Sequence, residues 1–563
     1  MEAIYRPGMN WKQSPTMVSG FPNSVVLSHN NWDDFGFKTT LNAAVFLDGI
    51  KVLEFALKVY IPSNHYTSEY LDSLIKQGVW NGFFPIPNTD YVSLPSDIAF
   101  YEVLVDSLGV DEAKRLLLVL RDAGLLQKFG SFEEQLASNA LIQTDAWGSS
   151  LTREAGAKKS YSDGWRVFEH SSPRKIQDFK LNLLRKNASV QPVEFSFNSN
   201  ILPYDVNVLI GPNGVGKSYC LKTLVEYWLG VGVGSSQSLA GHLPFDVHPN
   251  ISKLILVSYS PFEEFTLDLA DTVLREKDAY RYFGFRYQVE DEGVTRVGIS
   301  RNLPASDSVA SLIKSFQDDD QFGFMKSWVN KVEIIKSILQ SAIDFDQLAL
   351  AVDDSFVLGP FESIGLIEVA GRKYAIPQNI YELARLDGFI SRGEGVIFLK
   401  AGERVQLSSG QRLFCYIVIN VVGEIRRDSL VVIDEPELFL HPRLEIEFVG
   451  LLKKINAAFN SCTILATHSL SIARETPSKC VHVFRQLEDG LDVIHPPFET
   501  FGGDMQRIST YVFGDDSFSK PFDQWISKKL ESVSPEELIS SLGGEVNEEV
   551  VVKILNHRRG NGR

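Results

Sequence analysis

A glycine-rich stretch that directly follows a short apolar run places the tightest constraint on the fold of this chain. The apolar run Val206–Ile210 predicts a buried strand, and the phosphate-binding pattern G-x-x-x-x-G-K-[ST] begins at Gly211 and ends at Ser218. Glycines in such a loop let backbone N–H groups approach phosphates. The helix predicted over Tyr219–Trp228 directs its positive N-terminal end at the same anion. A glycine-rich connection that binds nothing would not require the strand before it and the helix after it, so the pattern favours a nucleotide site.

The loop also assigns roles to individual residues. Lys217 is placed to reach the β- and γ-phosphates, and Ser218 is placed to offer its hydroxyl to Mg²⁺. ATP and Mg²⁺ are therefore the expected ligands. The residues expected to contact the nucleotide here are Asn213, Gly214, Val215, Gly216, Lys217, Ser218 and Tyr219.

A second motif, LSSGQR at residues 407–412, precedes the apolar run Leu413–Ile419. Serines just before an apolar helical run are N-cap signals, so one interpretation is simply a well-capped helix. The other is a second helix N-terminus that faces phosphate, with Ser409 and Gly410 at its tip. On that interpretation the nucleotide contacts are Ser408, Ser409, Gly410 and Gln411.

Polar residues end two further apolar strands. The run Leu430–Ile433 leads into Asp434 and Glu435, and a strand from Thr463 leads into His468. Adjacent carboxylates at a buried strand end cost desolvation energy unless they have a task. Asp434 suits coordination of the Mg²⁺ held by Ser218, and Glu435 suits polarisation of the attacking water. His468 suits contact with the γ-phosphate, against the alternative of a structural histidine.

The four motifs GPNGVGKS, LSSGQR, VVIDEPE and ATHS occur in this order over residues 175 to 475 and resemble those of ABC/SMC-type P-loop ATPases. The resemblance implies an α/β ATPase head, with a mixed sheet, helices and an antiparallel lobe. It also implies a head-to-head homodimer that holds two ATP molecules between subunits, with the LSSGQ segment of one subunit facing the γ-phosphate bound by the other.

Details near the motifs indicate a branch of this class. No long heptad arm lies between Tyr259 and Leu407, and no membrane domain is present. Residues 439–442 (FLHP) are similar to OLD-like and PtuA-like ATPases, and residues 500–514 look like the region after the histidine motif in PtuA-like ATPases of Septu-type and retron-linked anti-phage systems. This resemblance implies an ATPase that regulates or scaffolds a separate HNH-type, PtuB-like nuclease. Nucleic acid and a reverse transcriptase are further implied partners.

Two residues depart from the family pattern. His441 occupies the place where SMC heads carry a dimer-loop aspartate, and no glutamine follows the strand Lys253–Tyr259, so Ser260 or Glu263 would have to replace it. The chain contains no H-N-H metal cluster and no Toprim-like acid cluster, and we therefore expect it not to cut nucleic acid itself. Two alternatives stay open: a RecF-like DNA repair ATPase and an assembly scaffold whose ATP is structural.

We expect three parts: an N-terminal α+β accessory domain at residues 1–165, the ATPase domain that the resemblance implies at 166–515 and a helical tail at 516–563. Strands are predicted between residues 24 and 62, and helices between 96 and 129 with a break near Gly109. A helical insertion is expected at about 270–400, with the acidic run 318–320 as a solvated loop. The loop 29–35 carries a histidine and two aspartates, which allow either a metal site or a polar turn.

Charge and cysteine content limit the partners and the location. The net charge of −16 opposes indiscriminate coating of nucleic acid. A locally basic stretch at residues 153–186 is either a solvated face or a nucleic-acid contact; it includes Arg153, Lys158, Lys159, Arg166, Arg174, Lys175, Lys180, Arg185 and Lys186. The four cysteines are scattered, with neither a zinc nor a disulfide pattern. With no signal-peptide pattern and no membrane-spanning run, a cytoplasmic location is expected.

Overall fold

The computed structural model describes residues 1–10, 21–30, 32–34, 36–153, 155–168, 176–185, 189–235, 237–239, 241–267, 279–291, 294–323, 328–356, 364–487, 490–514, 521–543, 546 and 548–560. It divides into two compact units, Met1–Phe501 and Gly502–Arg563. No helix among these residues is long and apolar enough to cross a membrane.

The N-terminal part of the first unit is an α+β arrangement around a five-stranded sheet in the order β1-β2-β3-β4-β5. β1 pairs with β2 in parallel and the other neighbours are antiparallel. Helix α2 ends where Gly109 adopts a φ of 79°, as the sequence predicts. The strands are Glu2–Asn10, Ser24–His29, Thr40–Leu47, Ile50–Tyr60 and Val92–Pro95, and the helices α1 to α6 are Thr67–Lys76, Ala99–Leu108, Val110–Val119, Ala123–Phe129, Phe132–Ile142 and Ala155–Asp163.

The remainder of the first unit is built on a seven-stranded sheet in the order β10-β9-β18-β19-β8-β20-β21. All neighbours are parallel except the antiparallel pair β20–β21. The strands β6 to β12 are Phe179–Leu184, Val190–Phe195, Val206–Ile210, Lys253–Ser258, Tyr280–Gly284, Arg286–Asp291 and Val294–Ile299. The strands β13 to β17 are Gln347–Val352, Gly365–Val369, Arg372–Ile376, Val396–Lys400 and Glu403–Arg404, and β18 to β21 are Ser429–Asp434, Cys462–Thr467, Val481–Leu487 and Gly490–Ile494.

Helices cover this sheet and its extensions. The helices α7 to α13 are Lys217–Leu229, Leu303–Phe322, Lys331–Gln340, Ile380–Leu386, Ser409–Glu424, Pro442–Phe459 and Leu470–Arg474. The second unit contains α14 to α17, which are Met505–Phe513, Pro521–Leu530, Pro535–Leu542 and Glu548–Gly560. Every residue of β8, β9, β18 and β19 is buried, as expected for parallel strands with both faces covered.

The register of the central strands brings their carboxyl ends to one edge of the sheet. Ile210 at the end of β8 is opposite Thr467 of β19, and Ala466 of β19 is opposite Asp434 of β18. The phosphate-binding loop and the two polar strand ends predicted from the sequence therefore emerge side by side, at the edge where open α/β sheets bind ligands.

Three ion pairs join the N-terminal α+β part to the short connection between α11 and β18. The pairs are Asp97–Arg426 (2.5 Å), Glu102–Arg427 (3.1 Å) and Lys159–Asp428 (2.9 Å). Separate apolar cores, one from Ala3 to Phe168 and one from Ile176 to Phe484, lie on either side of this contact. The domain boundaries at residues 165 and 515 stay predictions, although the helical second unit begins earlier, at Gly502.

The expectation of a helical insertion at residues 270–400 is wrong in its main feature. Helices α8 to α10 lie there, but so do β10, the hairpin β11–β12 and most of a five-stranded antiparallel sheet in the order β14-β15-β13-β16-β17. Its strands β13 and β16 are short and buried. Apolar runs of four to eight residues do not distinguish a buried strand from a helical segment by period alone.

Two smaller expectations are also resolved by tertiary contacts. The acidic run 318–320 is not a solvated loop, because α8 continues through it to Phe322. Asp318 pairs with Lys331 at 2.8 Å, and Asp319 accepts hydrogen bonds from the backbone N–H groups at the start of α9. In the loop 29–35, Asp34 is buried and pairs with Lys58 and Arg153, which favours the polar turn over a metal site; residues 31 and 35 lie outside the described residues.

Candidate functional site

The phosphate-binding loop has the backbone conformation that its glycines predict. Gly214 and Gly216 adopt φ angles of 75° and 104°, which side-chain-bearing residues rarely reach. A Cβ on Gly211 would lie 2.4 Å from the carbonyl oxygen of Phe484, so only glycine fits there. Of the other predicted loop contacts, Asn213 and Tyr219 are exposed, whereas the side chain of Val215 packs into the core and leaves its backbone N–H as the group available for a ligand.

Lys217 begins α7 and lies buried beneath the loop. Its Nζ donates to the carbonyl oxygens of Gly211 and Pro212, both at 3.0 Å, and lies 3.1 Å from Nε2 of His468. Burial lowers the pKa of Lys217 below its ordinary value, and the charges of nearby carboxylates oppose that shift. The ammonium group is thus held at the loop by two neutral carbonyls that an incoming phosphate could replace as its partners.

Ser218 and Asp434 meet as the sequence predicts. The Ser218 hydroxyl donates to Oδ1 of Asp434 at 3.1 Å across the gap between α7 and β18. Burial raises the pKa of Asp434 from 3.8 to about 7, and the charge of Glu435 adds to the shift. A hydroxyl and a carboxylate, with no ammonium or guanidinium group bonded to that carboxylate among the described residues, form an oxygen donor set that fits Mg²⁺.

Glu435 and His468 form a direct pair at the ends of β18 and β19. Nε2 of His468 lies 2.9 Å from Oε1 of Glu435, and this hydrogen bond lowers the pKa of Glu435. Glu435 has a φ of 48°, and its backbone N–H donates to Ala466 at 2.9 Å. A left-handed backbone at a non-glycine residue costs about 1–3 kcal/mol and is concentrated at functional sites. At Glu435 this backbone conformation turns the side-chain carboxylate away from β18 and towards His468.

The same His468 Nε2 faces both Lys217 and Glu435. A neutral imidazole nitrogen is either a donor or an acceptor. If Nε2 accepts from Lys217 it cannot donate to Glu435, and if it donates to Glu435 the ammonium of Lys217 has lost a partner. Movement of Lys217 towards a phosphate therefore leaves His468 free to hold Glu435 by a hydrogen bond.

Glu437 is a site residue that the motif analysis did not single out. Its Oε1 accepts the backbone N–H of His468 at 2.5 Å, and burial raises its pKa. Glu437 thus links the segment after β18 to the residue that ends β19. The second glutamate of VVIDEPE was the available signal, but its partner is a backbone amide 31 positions away, which no local pattern identifies.

The LSSGQR segment forms the capped helix of the simpler interpretation. Ser408 Oγ accepts the N–H of Gln411 at 3.2 Å, and the Gln411 side chain accepts the N–H of Ser408 at 3.0 Å, which is a capping box. Ser408 and Ser409 are exposed, and Gly410 is half-buried. Within the described part of one chain, residues 408–411 make no side-chain hydrogen bond to the phosphate-binding loop, so this structure does not bring them to the other predicted site residues.

The departures from the family pattern have structural roles. His441 caps α12 by accepting the N–H of Arg443 at 3.3 Å. Glu263 is buried and accepts from Tyr282 at 2.5 Å, Arg286 at 3.0 Å and the N–H of Phe265 at 2.7 Å. Its charge contributes to the raised pKa of Asp434, which places Glu263 near the site although its oxygens are already engaged.

The basic stretch 153–186 is mostly neutralised where the structure describes it. Five of its members pair with carboxylates in the fold, namely Arg153 with Asp34, Lys159 with Asp428, Arg166 with Asp163, Lys180 with Glu194 and Arg185 with Asp492. Lys159 is buried against Asp428. These contacts favour the interpretation of a structural or solvated face over a nucleic-acid contact. Arg174, Lys175 and Lys186 lie outside the described residues.

Comparison with known proteins agrees with the motifs. A family model described as "AAA domain, putative AbiEii toxin, Type IV TA system" matches residues 349–474. Protein ea59 of Escherichia phage lambda is 22% identical over an alignment that covers 96% of each chain. Septu protein PtuA of Bacillus thuringiensis is 23% identical over 291 residues, which are 47% of this chain and 66% of PtuA. The solved structure of an SMC head bound to the C-winged helix domain of ScpA is 12% identical, with a TM-score of 0.29, and covers 57% of this chain and 98% of that one.

Proposed function

Because the chain carries an AAA-family P-loop ATPase domain, we propose that it hydrolyses ATP and serves as an ATPase subunit of an anti-phage defence complex. The observation that carries the ATPase assignment is the meeting of Lys217, the Ser218–Asp434 pair and the Glu435–His468 pair at one edge of the parallel sheet. The defence role rests on the similarity to PtuA.

The loop and α7 bind the triphosphate in this proposal. Backbone N–H groups of residues 213–218 surround the phosphates, and Lys217 exchanges its contacts with Gly211 and Pro212 for the β- and γ-phosphate oxygens. Ser218 and Asp434 would hold Mg²⁺, which when bound neutralises part of the triphosphate charge. Because Asp434 must be ionised to serve as a ligand, metal binding releases its proton near neutral pH.

Glu435 is the residue placed to accept a proton from the attacking water. Its pKa is lowered by His468, so the carboxylate is ionised at neutral pH and can accept a hydrogen bond from water at its free oxygen. Glu437 positions His468 through the backbone amide, and His468 in turn fixes the direction of the Glu435 carboxylate. Glu437 and His468 therefore position Glu435, and only Glu435 needs to carry the proton.

The proposed working form is a homodimer. The exposed Ser408 and Ser409 and the half-buried Gly410 at the N-terminus of α11 make no side-chain hydrogen bond to the phosphate-binding loop within the described part of their own chain, and a second copy could present them to the γ-phosphate. Leu438 and Ile446 are 52% and 49% exposed on the segment after Glu435 and would be covered by such a contact. Two nucleotides enclosed between two subunits would make association depend on ATP, because each nucleotide binds the dimer better than the monomer.

The experiment that tests this function replaces Glu435 by Gln. The amide keeps the hydrogen bond to His468 but cannot accept the proton, so we expect ATP binding to persist and turnover to fall by about 10²–10⁴-fold, the usual contribution of a positioned base. The variant should accumulate as an ATP-bound dimer, measured by light scattering with ATP and Mg²⁺. Glu333→Gln, an exposed change on α9, is the matched control. Turnover close to wild type in Glu435→Gln would remove Glu435 from the catalytic role.

The partner proposed for this ATPase is a separate HNH-type, PtuB-like nuclease, with nucleic acid and, in retron-linked systems, a reverse transcriptase as further members. Co-expression and co-purification with the product of an adjacent nuclease gene tests this directly. ATP-dependent affinity for duplex DNA by this chain alone, with no nuclease neighbour, would instead favour the RecF-like repair ATPase. A chain that binds ATP tightly but turns it over no faster than Glu435→Gln would favour the scaffold.

A further inference from the structure

A cavity lined by hydrogen-bond donors lies beside the first turns of α11, away from the phosphate-binding loop in sequence. It has a volume of about 120 Å³ and is bounded by β16, the segment after β17 and α11. Its polar lining consists of Glu394, Arg404, Gln406, Arg412 and Tyr416.

The charge around this cavity is positive. Glu394 is its one carboxylate, and it already accepts from Arg372 and from Arg404, the latter at 3.4 Å. Arg404 also donates to the Tyr374 hydroxyl at 3.2 Å. Arg412 is exposed, and its side chain has no carboxylate or hydrogen-bond partner among the described residues. Among the lining residues, two guanidinium groups against one carboxylate leave an excess of one positive charge.

Two further donors have no partner in the described part of the chain, the hydroxyl of Tyr416 and the side-chain amide of Gln406. Tyr416 is 9% exposed as a whole residue, and it lines the cavity. The hydroxyl fits because Gly395 stands opposite: a Cβ on Gly395 would lie 2.4 Å from it, and the φ of Gly395 is 73°. The hydroxyl can donate to an acceptor that occupies the cavity.

The volume of the cavity and its guanidinium groups indicate the class of ligand that it binds. Guanidinium groups present N–H donors in a fork that matches the oxygens of phosphate. The volume of about 120 Å³ is enough for one phosphoryl group. We propose that this cavity is a second anion site, which binds a single phosphoryl group through Arg412, Arg404 and Tyr416.

The position of the site connects it to the segment that the ATPase proposal uses. Arg412 and Tyr416 lie on α11 directly after Ser408–Gln411, so a phosphoryl group bound between α11 and β16 would tie the start of this helix to the antiparallel sheet. The existence of the anion site does not depend on the proposed function. Only its influence on turnover would rest on the role given to Ser408–Gln411.

The test measures phosphate binding in a chain whose phosphate-binding loop has lost its lysine. In the full chain with Lys217→Ala, inorganic phosphate is titrated by calorimetry, and Arg412→Gln is compared with Arg392→Gln, an exposed arginine outside the cavity. We expect Arg412→Gln to weaken phosphate binding by about tenfold or more, since a charged hydrogen bond is worth about 1.5–3 kcal/mol, and Arg392→Gln to leave it unchanged. Tyr416→Phe, which removes one hydroxyl and keeps the packing, should weaken binding severalfold.

A second titration distinguishes a phosphoryl group on a nucleic-acid end from a free phosphoryl ligand. A short oligonucleotide with a 5′-phosphate is compared with the same oligonucleotide bearing a 5′-hydroxyl. Tighter binding of the phosphorylated form than of inorganic phosphate, lost in Arg412→Gln, would identify a nucleic-acid end. Equal affinity for the phosphorylated oligonucleotide and for inorganic phosphate would identify a free phosphoryl ligand. No phosphate binding in the Lys217→Ala chain, or equal loss in Arg412→Gln and Arg392→Gln, would overturn the site.

Discussion

Replacement of Asp434 by Asn should make the nucleotide-free protein more stable, although it removes a residue of the site. The pKa of Asp434 is raised from 3.8 to about 7, chiefly because the carboxyl is buried. Each pKa unit corresponds to about 1.4 kcal/mol, so at a pH above 7 the ionised carboxylate costs the folded state about 4 kcal/mol. Asn has nearly the same shape, keeps an acceptor for the Ser218 hydroxyl and never ionises.

The pH dependence of this effect has a definite sign. A carboxyl with a raised folded pKa favours folding fully below its unfolded pKa, and that contribution is lost as the pH rises to the folded value. The pKa of Asp434 is raised from 3.8 to about 7 in the folded protein. The free energy of unfolding of Asp434→Asn relative to wild type should therefore rise by about 2 kcal/mol between about pH 5.5 and about pH 8. Urea unfolding of the nucleotide-free chain at the two pH values measures the difference.

The matched control is Asp320→Asn, which removes the same charge from an exposed position on α8. Its effect should stay within about 0.5 kcal/mol at both pH values. With ATP and Mg²⁺ the wild type should be more stable than Asp434→Asn, because the wild-type carboxylate gains a cation and the amide does not. An Asp434→Asn chain that is less stable than wild type at about pH 8, or whose advantage does not change with pH, would refute the reasoning.

Three further predictions address the rest of the site. Lys217→Ala should weaken ATP binding by at least about 100-fold, since a buried charged contact to phosphate is worth about 3 kcal/mol, and an unchanged Kd in a nucleotide titration would contradict the site. Glu437→Ala should lower kcat by about tenfold with little change in KM, whereas Glu437→Gln, which keeps an acceptor for the His468 amide, should stay within a few-fold of wild type; equal effects of the two would remove the positioning role. Arg427→Glu should lower the free energy of unfolding by about 1 kcal/mol because it leaves the half-buried Glu102 beside a like charge, and the added change Glu102→Arg should restore much of it; no rescue by this exchange would indicate that the pair itself is not the cause.

The sequence was sufficient for the parts of the site that depend on near neighbours. A buried run ending in glycines predicts a strand, a loop and a helix, and β8, the loop and α7 have that form. Serine before an apolar run predicts a capped helix, and Ser408 and Gln411 form the capping box. Polar residues directly after buried runs predict a shared strand-end edge, and the parallel order of β8, β18 and β19 provides it. Each of these signals is contained within about ten residues.

The contacts that tune the site were decided by tertiary structure. The raised pKa of Asp434 requires its burial behind α7, and the placement of His468 requires the carboxylate of Glu437 to reach an amide on another strand. The acidic run 318–320 reads as a solvated loop until Lys331 and the first turn of α9 give it partners. Burial and ion pairing depend on residues that are distant in the chain and are adjacent only after folding. Residue pattern therefore determined which groups the site contains, and packing determined their charge, direction and partners.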